Sequence, residues 1–203
     1  PEADARAPAA TEAGVGVRLG VDSAADADGR GLADVVAGML VSRGRAVARV
    51  KSGDFLARRS VRLEHGPADV DAAFERWVDW AALQREVLEP LADPTGPRWL
   101  PRLRDAASDR PSREPVRVAV PGTVLVVDGP YLLRWELAGS FDVVAHLDLS
   151  AGALGRRFPD PGDPRPGAWR RYLAECHPAA RADLVVRYDH PDRPAVVRSS
   201  SSG

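Results

Sequence analysis

The residues best suited to chemistry lie between positions 20 and 34, GVDSAADADGRGLAD. Small residues, glycines and carboxylates crowd together there, between an apolar run and a stretch of helical periodicity. A glycine-bearing loop in that place presents successive backbone N–H groups, and the helix that follows adds positive potential, so the two together can hold a phosphate. The nucleotide-binding form of this device is G-x-x-x-x-G-K-[ST]. Its lysine bridges the β- and γ-phosphates and its hydroxyl holds Mg²⁺. Laid on that pattern, the segment starts at Ala24, or at Ser23 if the loop carries one extra residue. Gly29 takes the second glycine, Arg30 the lysine position and Gly31 the hydroxyl position. The candidate phosphate-binding set is therefore Ser23, Asp28, Gly29, Arg30 and Gly31. By pattern alone the segment also reads as an acidic glycine turn between strand and helix.

The surrounding elements must place that loop. Residues 15–21 form an apolar-rich strand. After the loop, Leu32, Val35, Val36, Met39 and Leu40 recur at helical spacing, and Gly44 ends the helix. Residues 46–50 read as a second strand. Strand, loop, helix and strand make a βαβ unit and imply a parallel sheet. Residues 80–91 read as a helix with Leu83, Val87, Leu88 and Leu91 on one face and Asp79 as its N-cap. Residues 94–115 are rich in proline and arginine and read as irregular. Val124–Val127 is an apolar run suited to a buried central strand. Further strands are expected at 143–149 and 182–186, with a short helix at 168–175. The fold class is α/β, a three-layer doubly wound parallel sheet, in which ligands bind at the carboxyl ends of the strands.

Composition narrows the classes of function. The chain has 203 residues, 44% hydrophobic and 28% charged, with a formal net charge of -1. That suits one α/β domain over 15–197, with a flexible arm at 1–14 and a tail at 198–203. The balance of charge gives no basic field to recruit a nucleic-acid polymer or a membrane surface. No apolar run reaches the ~20 residues of a membrane span. The beginning of the sequence lacks the pattern of a secretory signal, and one cysteine, Cys176, makes no internal disulfide, so a reduced cytoplasmic setting is expected. Oligomeric state is not readable. The four histidines have no metal-ligand spacing, and the five tryptophans are too dispersed for a stacking platform. Lys51 is the only lysine.

Several blocks, taken in order, resemble the uridine kinase-like family of P-loop phosphotransferases. Residues 20–34 look like its strand–loop–helix opening. Residues 49–55, RVKSGDF, look like the second strand running into the acceptor-site aspartate. Residues 79–91, DWAALQREVLEPL, resemble the helix after the substrate loop, and 104–111, RDAASDRP, a segment lining the acceptor pocket. Residues 124–133, VLVVDGPYLL, look like the buried strand with the Walker B acid. Residues 172–186, YLAECHPAARADLVV, resemble the closing helix and last strand. The resemblance implies a P-loop NTPase fold and ATP-dependent phosphorylation, with Mg²⁺, of a nucleoside-like or small hydroxyl acceptor.

Carried over residue by residue, the resemblance puts the metal acid at Asp128 and acceptor contacts at Asp105, Asp109 and Arg110; Asp54 is the candidate for the catalytic aspartate, one residue off the family position. The departures are specific. The family lysine falls on Arg30 or Gly29, depending on register, and the hydroxyl falls on Gly31, which has no ligand atom. The family's catalytic aspartate stands two positions before the Phe, which here is Gly53, with Asp54 one residue on. Arg30 or Lys51 is the candidate replacement cation. Between 149 and 172 the arginine-bearing lid helix is shortened to Arg156 and Arg157 before a Pro/Gly run. Two functions follow: an ATP-dependent small-molecule or nucleoside kinase, or a pseudokinase that keeps the fold as a binding or regulatory module.

Overall fold

The structure is a computed structural model describing residues 16–92 and 97–197. The arm at 1–14, the tail at 198–203 and the start of the 94–115 stretch lie outside the described residues.

Strand β1 (Arg18–Asp22) leads into helix α1 (Asp26–Ser42), and β2 (Val47–Lys51) follows. Three short helices come next: α2 (Arg59–Arg62), α3 (Val70–Glu75) and α4 (Trp80–Leu83). The last continues through a wider π-type turn at Gln84–Leu88. A short antiparallel ladder pairs β3 (Arg98–Trp99) with β4 (Arg117–Val118) across the segment 100–116. Then come β5 (Val124–Gly129), β6 (Val143–Asp148), helices α5 (Ala151–Arg157), α6 (Arg165–Cys176) and α7 (Pro178–Arg181), and strands β7 (Leu184–Arg187) and β8 (Ala195–Val197).

The main sheet runs β2-β5-β1-β6-β7-β8, parallel throughout except for the antiparallel edge strand β8. All six residues of β5 are buried, as an apolar strand covered by helices on both faces must be. The pairing of β1 with β5 sets Val21 opposite Asp128 and Asp22 opposite Gly129. The chain runs from β1 past β5 to β2 and later from β5 past β1 to β6, so the winding direction reverses at the β5–β1 pair. The crevice of a doubly wound sheet opens at such a point.

Helix α1 lies on the sheet through an unexpected face. Its buried residues are Gly29, Ala33 and Ala37, one per helical turn, while Val35 and Met39 are largely exposed. Small side chains let the helix approach β5 closely, so the large apolar residues of the 3.6-residue period fall elsewhere. Helix α4 follows the sequence reading: Leu83, Val87, Leu88 and Leu91 are buried, and the Asp79 carboxylate accepts the Ala82 N–H at 2.9 Å. On the other face of the sheet, Phe74 of α3 meets Tyr131 edge-on at 5.2 Å between ring centroids, and Tyr131, Trp169 and Tyr172 continue the aromatic cluster. Helices α2, α3 and α7 and strand β8 have no counterpart in the sequence reading. The first three are four to six residues long, too short for periodicity to register.

Among the described residues, no helix is long and apolar enough to cross a membrane.

Candidate functional site

The connection from β1 to α1 is much shorter than the sequence pattern implies. Only Ser23, Ala24 and Ala25 separate the two elements. Asp28, Gly29, Arg30 and Gly31 belong to the first two turns of α1, not to a loop. The expected loop over 22–31 is thereby corrected, and the reason is local. The Asp28 and Gly29 N–H groups both donate to the Ala25 carbonyl, at 3.1 and 3.2 Å, which closes a helical turn early. Ser23 fixes the turn from below: its N–H donates to the Gly129 carbonyl at 3.1 Å and its hydroxyl to the Ala25 carbonyl at 3.1 Å. Gly29 is required by contact. A methyl group there would stand 2.3 Å from Ser23 Oγ and 3.6 Å from Asp128 Cβ.

Ala25, the N-cap of α1, has no side-chain acceptor to offer the first amides. The first turn instead carries two carboxylates, Asp26 and Asp28, which interact favourably with the positive end of the helix. Asp28 is in an ion pair with Arg157 at the end of α5. Arg157 also donates to the carbonyls of Tyr188 (2.7 Å) and Ala153 (3.3 Å), so the guanidinium is clamped on several sides. The shortened lid thus forms a seven-residue helix whose last arginine reaches the start of α1. Arg30 and Gly31 are exposed on α1; nothing lies within 4 Å of a methyl group built on Gly31.

Asp128, at the end of β5, is buried, and its carboxylate accepts from Arg49 Nη1 at 2.6 Å. Arg49 also pairs with Asp34 of α1 at 2.9 Å and donates to the Val126 carbonyl at 3.3 Å. Burial raises the Asp128 pKa above the usual aspartate value, and the Arg49 guanidinium opposes that shift in part. Among the described residues, no group of three His, Cys, Asp or Glu side chains is placed to hold a metal ion.

Lys51 and Asp54 do meet. They line a recess of about 200 Å³ with Asp34, Arg49, Arg102 and Glu114, at the free edge of the sheet. Lys51 stands opposite Asp128 in the β2–β5 register. Among the described residues it has no ion-pair partner, whereas Asp54 accepts from Arg102 Nε at 2.9 Å. Arg30 lies outside this recess. Asp105 and Arg110 line a neighbouring groove of about 620 Å³, but Asp109 turns away from it. The Asp109 carboxylate receives the Arg59 N–H at 3.0 Å and faces Arg62 at 3.5 Å, tying its loop to α2. The Asp105 carboxyl is held below its ordinary value by the Ser108 N–H and hydroxyl, both at 2.7 Å.

Sequence reasoning missed two groups. The first is Arg49. Its only signal is alternation in β2, where Ala48 and Val50 face the core and Arg49 and Lys51 share the other side. The second is a fully buried polar cluster on Asp22. One carboxylate oxygen accepts from the Tyr172 hydroxyl at 2.9 Å and meets His146 Nδ1 at 2.7 Å; the other accepts the Leu132 N–H at 2.9 Å. The ring of His146 stacks on Trp169. This Asp22 cluster supports the aromatic core from the end of β1, and positions 22, 146 and 172 are too far apart in sequence for spacing to join them. Trp135 is 61% exposed, lines a shallow groove and carries the Arg181 guanidinium 3.9 Å above its ring. Cys176 is buried, and burial pushes its thiol up.

No protein-family model matches this chain, and no curated protein matches it in sequence. Solved structures do match. One is described as a possible uridine kinase from Bacillus stearothermophilus. It aligns with a TM-score of 0.68 at 22% identity, over 87% of this chain and 91% of that one. Another, from Silicibacter sp. TM1040 and provisionally assigned as a fructose transport system kinase, aligns with a TM-score of 0.57 at 19% identity, over 87% and 89%. The α/β fold is therefore that of P-loop kinase-like proteins.

Proposed function

We propose that this chain uses a kinase fold to bind a small hydroxyl-bearing molecule of nucleoside-like size, and that its phosphate-donor end is occupied by its own side chains. The observation carrying this reading is the first turn of α1. Where a kinase of this fold would present free amides to a nucleotide phosphate, this chain places Asp26 and Asp28, and it directs Arg157 onto Asp28. A helix N-terminus has roughly +0.5 of an elementary charge to offer an anion. Two carboxylates in the same turn offset it and repel a triphosphate. A connection of three residues is also too short to wrap one with backbone N–H groups. The residues present therefore do not fit ATP in the usual cradle. They fit Mg²⁺ no better at Asp128, where Arg49 holds the carboxylate.

A second reading, ATP-dependent phosphorylation of a small acceptor with Mg²⁺, is supported by Lys51. Its ammonium is unpaired among the described residues, stands opposite Asp128 and shares the 200 Å³ recess with Asp54. In that reading Lys51 replaces the missing lysine and Asp54 faces the acceptor hydroxyl.

One experiment separates the two. Thermal unfolding is followed with ATP, with and without Mg²⁺, alongside release of ADP in the presence of uridine and of fructose. A ligand bound selectively to the folded state raises the midpoint. The proposal expects no midpoint shift from ATP under either condition and no ADP. A Mg²⁺-dependent shift that is lost in Asp128→Ala overturns it in favour of the second reading.

A further inference from the structure

Parallel strands are ordinarily covered on both faces, and one face of this sheet is covered only in part. The register identifies it. Asp128 Cβ stands 3.6 Å from a methyl group built on Gly29, so Asp128 points to the α1 side. Val21 is opposite Asp128, Ala145 opposite Val21 and Leu184 opposite Ala145, and residues opposite one another share a face. Alternation along β6 and β7 adds Val143, Leu147 and Val186, and Val196 lies opposite Val186. Leu147 and Val186, toward the carboxyl ends, are buried. Toward the amino ends and the sheet edge the cover stops: Val143 is 43% exposed, Leu184 39% and Val196 61%. No residue of this face on β6, β7 or β8 is charged.

Helix α1 stands beside this apolar floor as a wall. Its Asp34 reaches Arg49 of β2 at 2.9 Å, which turns that flank toward β2. Leu32 and Val36, on the opposite flank, therefore face β1 and β6, and both are only half-buried. Val35 and Met39, one turn apart on the outer side, are 59% and 48% exposed. These are the same large apolar residues whose spacing announces the helix in the sequence, and the sheet beneath does not use them.

A protruding apolar helix next to an open apolar floor makes a self-complementary surface. A helix from a different protein would cover the floor and leave Val35 and Met39 in solvent. A second copy of this chain, turned by a two-fold rotation, sets each α1 on the other's floor and covers both, with the same patch used on each side. The area is sufficient. A helix of 17 residues is about 26 Å long and about 10 Å wide, a footprint of roughly 260 Å². Two such contacts, each removing surface from both copies, bury about 1,000 Å², the lower bound for a specific interface.

We infer that this chain forms a two-fold dimer in which α1 of each copy packs across the open β6–β7–β8 face of the other. The dimer is independent of the proposed function: it holds whether the chain binds a small molecule or phosphorylates one.

The test is sedimentation velocity on the full chain, without nucleotide, over about 1 to 300 µM. A reversible monomer–dimer equilibrium is expected, with a dissociation constant on the order of 10 µM for an interface of this size. Val35→Glu puts a charge on the helix and Val196→Glu puts one on the floor. Both positions are exposed, so each variant should keep the wild-type thermal midpoint within about 2 °C at low concentration. Each should weaken dimerisation at least about tenfold. A second measurement fixes the pairing. Val35→Cys chains mixed with Val196→Cys chains should be joined by a bismaleimide cross-linker in higher yield than either alone; the buried Cys176 does not compete. A monomer at every concentration overturns the inference, and is what a cover supplied by residues 1–14 of the same chain would give. A dimer that both glutamate variants retain overturns it too, as does cross-linking of Val35→Cys alone without any in the mixture beyond it.

Discussion

Replacing Arg49 by methionine removes a cation while keeping most of the side-chain volume. The Asp128 carboxylate is 3% exposed and lies 2.6 Å from Arg49 Nη1. Removing one partner of a fully buried pair costs ~3–5 kcal/mol, because the other charge is left unpaired. Arg49 itself is 22% exposed, so solvent screens part of this and ~2–3 kcal/mol is the expected loss. For a chain of this length 1 kcal/mol moves the midpoint by ~2–4 °C, which makes the drop roughly 4–12 °C in thermal unfolding. The cause is identified by rescue: Asp128→Asn added to Arg49→Met should restore at least half of the loss. It is identified again by pH. Burial raises the Asp128 pKa in the folded protein above its unfolded value of 3.8. The folded state therefore favours the protonated acid, and the penalty for charging it grows as pH rises above 3.8. The deficit of Arg49→Met should accordingly be larger at pH 7.5 than at pH 4.5. A midpoint for Arg49→Met within 1 °C of wild type, or a double variant no more stable than the single, would refute the assignment of Arg49 as the counter-charge of Asp128.

Three further outcomes are expected. Tyr172→Phe removes the hydroxyl that donates to Asp22 and accepts the Leu133 N–H at 3.0 Å, leaving a buried donor without a partner, and should cost ~1–3 kcal/mol in urea unfolding. Gly29→Ala gains helix propensity but drives a methyl group to 2.3 Å from Ser23 Oγ; a net loss of ~1–2 kcal/mol is expected, recovered by Ser23→Gly in the same chain. The Glu136 pKa is lowered from 4.5 to about 2, so its contribution is complete above 4.5 and is lost as pH falls toward 2; Glu136→Gln should flatten that part of the acid unfolding curve measured by circular dichroism.

The parallel sheet was legible because its signals are local and strong. Residues 124–127 are an uninterrupted apolar run, and a strand buried on both faces needs one. Leu83, Val87, Leu88 and Leu91 repeat at helical spacing, and Asp79 sits where a cap belongs. The start of α1 was not legible in the same way. A strand–loop–helix pattern does not state where the first helical hydrogen bond forms, and here the Ala25 carbonyl accepts the Asp28 and Gly29 amides and converts expected loop into helix. The packing face of α1 was misread for a related reason. Periodicity weights large apolar residues, while the sheet selected glycine and alanine for close approach. Among the candidate site residues, Lys51 and Asp54 came together because they flank one short turn after β2. Asp109 left its neighbours because Asp105 holds a tight turn that points it toward α2. Arg49 meets Asp128 79 positions away, and Asp22 meets its partners 110 to 150 positions away, which no single-sequence spacing encodes.

Lys51 offers one practical consequence. Within these 203 residues it is the lone side-chain amine. Amine-directed reagents, which scatter over the surface of most proteins, have one side-chain address here, and it opens into the recess beside Asp54. Reductive methylation with ¹³C-formaldehyde would therefore install one spectroscopic label on the wall of that recess. Its chemical shift would follow occupancy of the sheet edge.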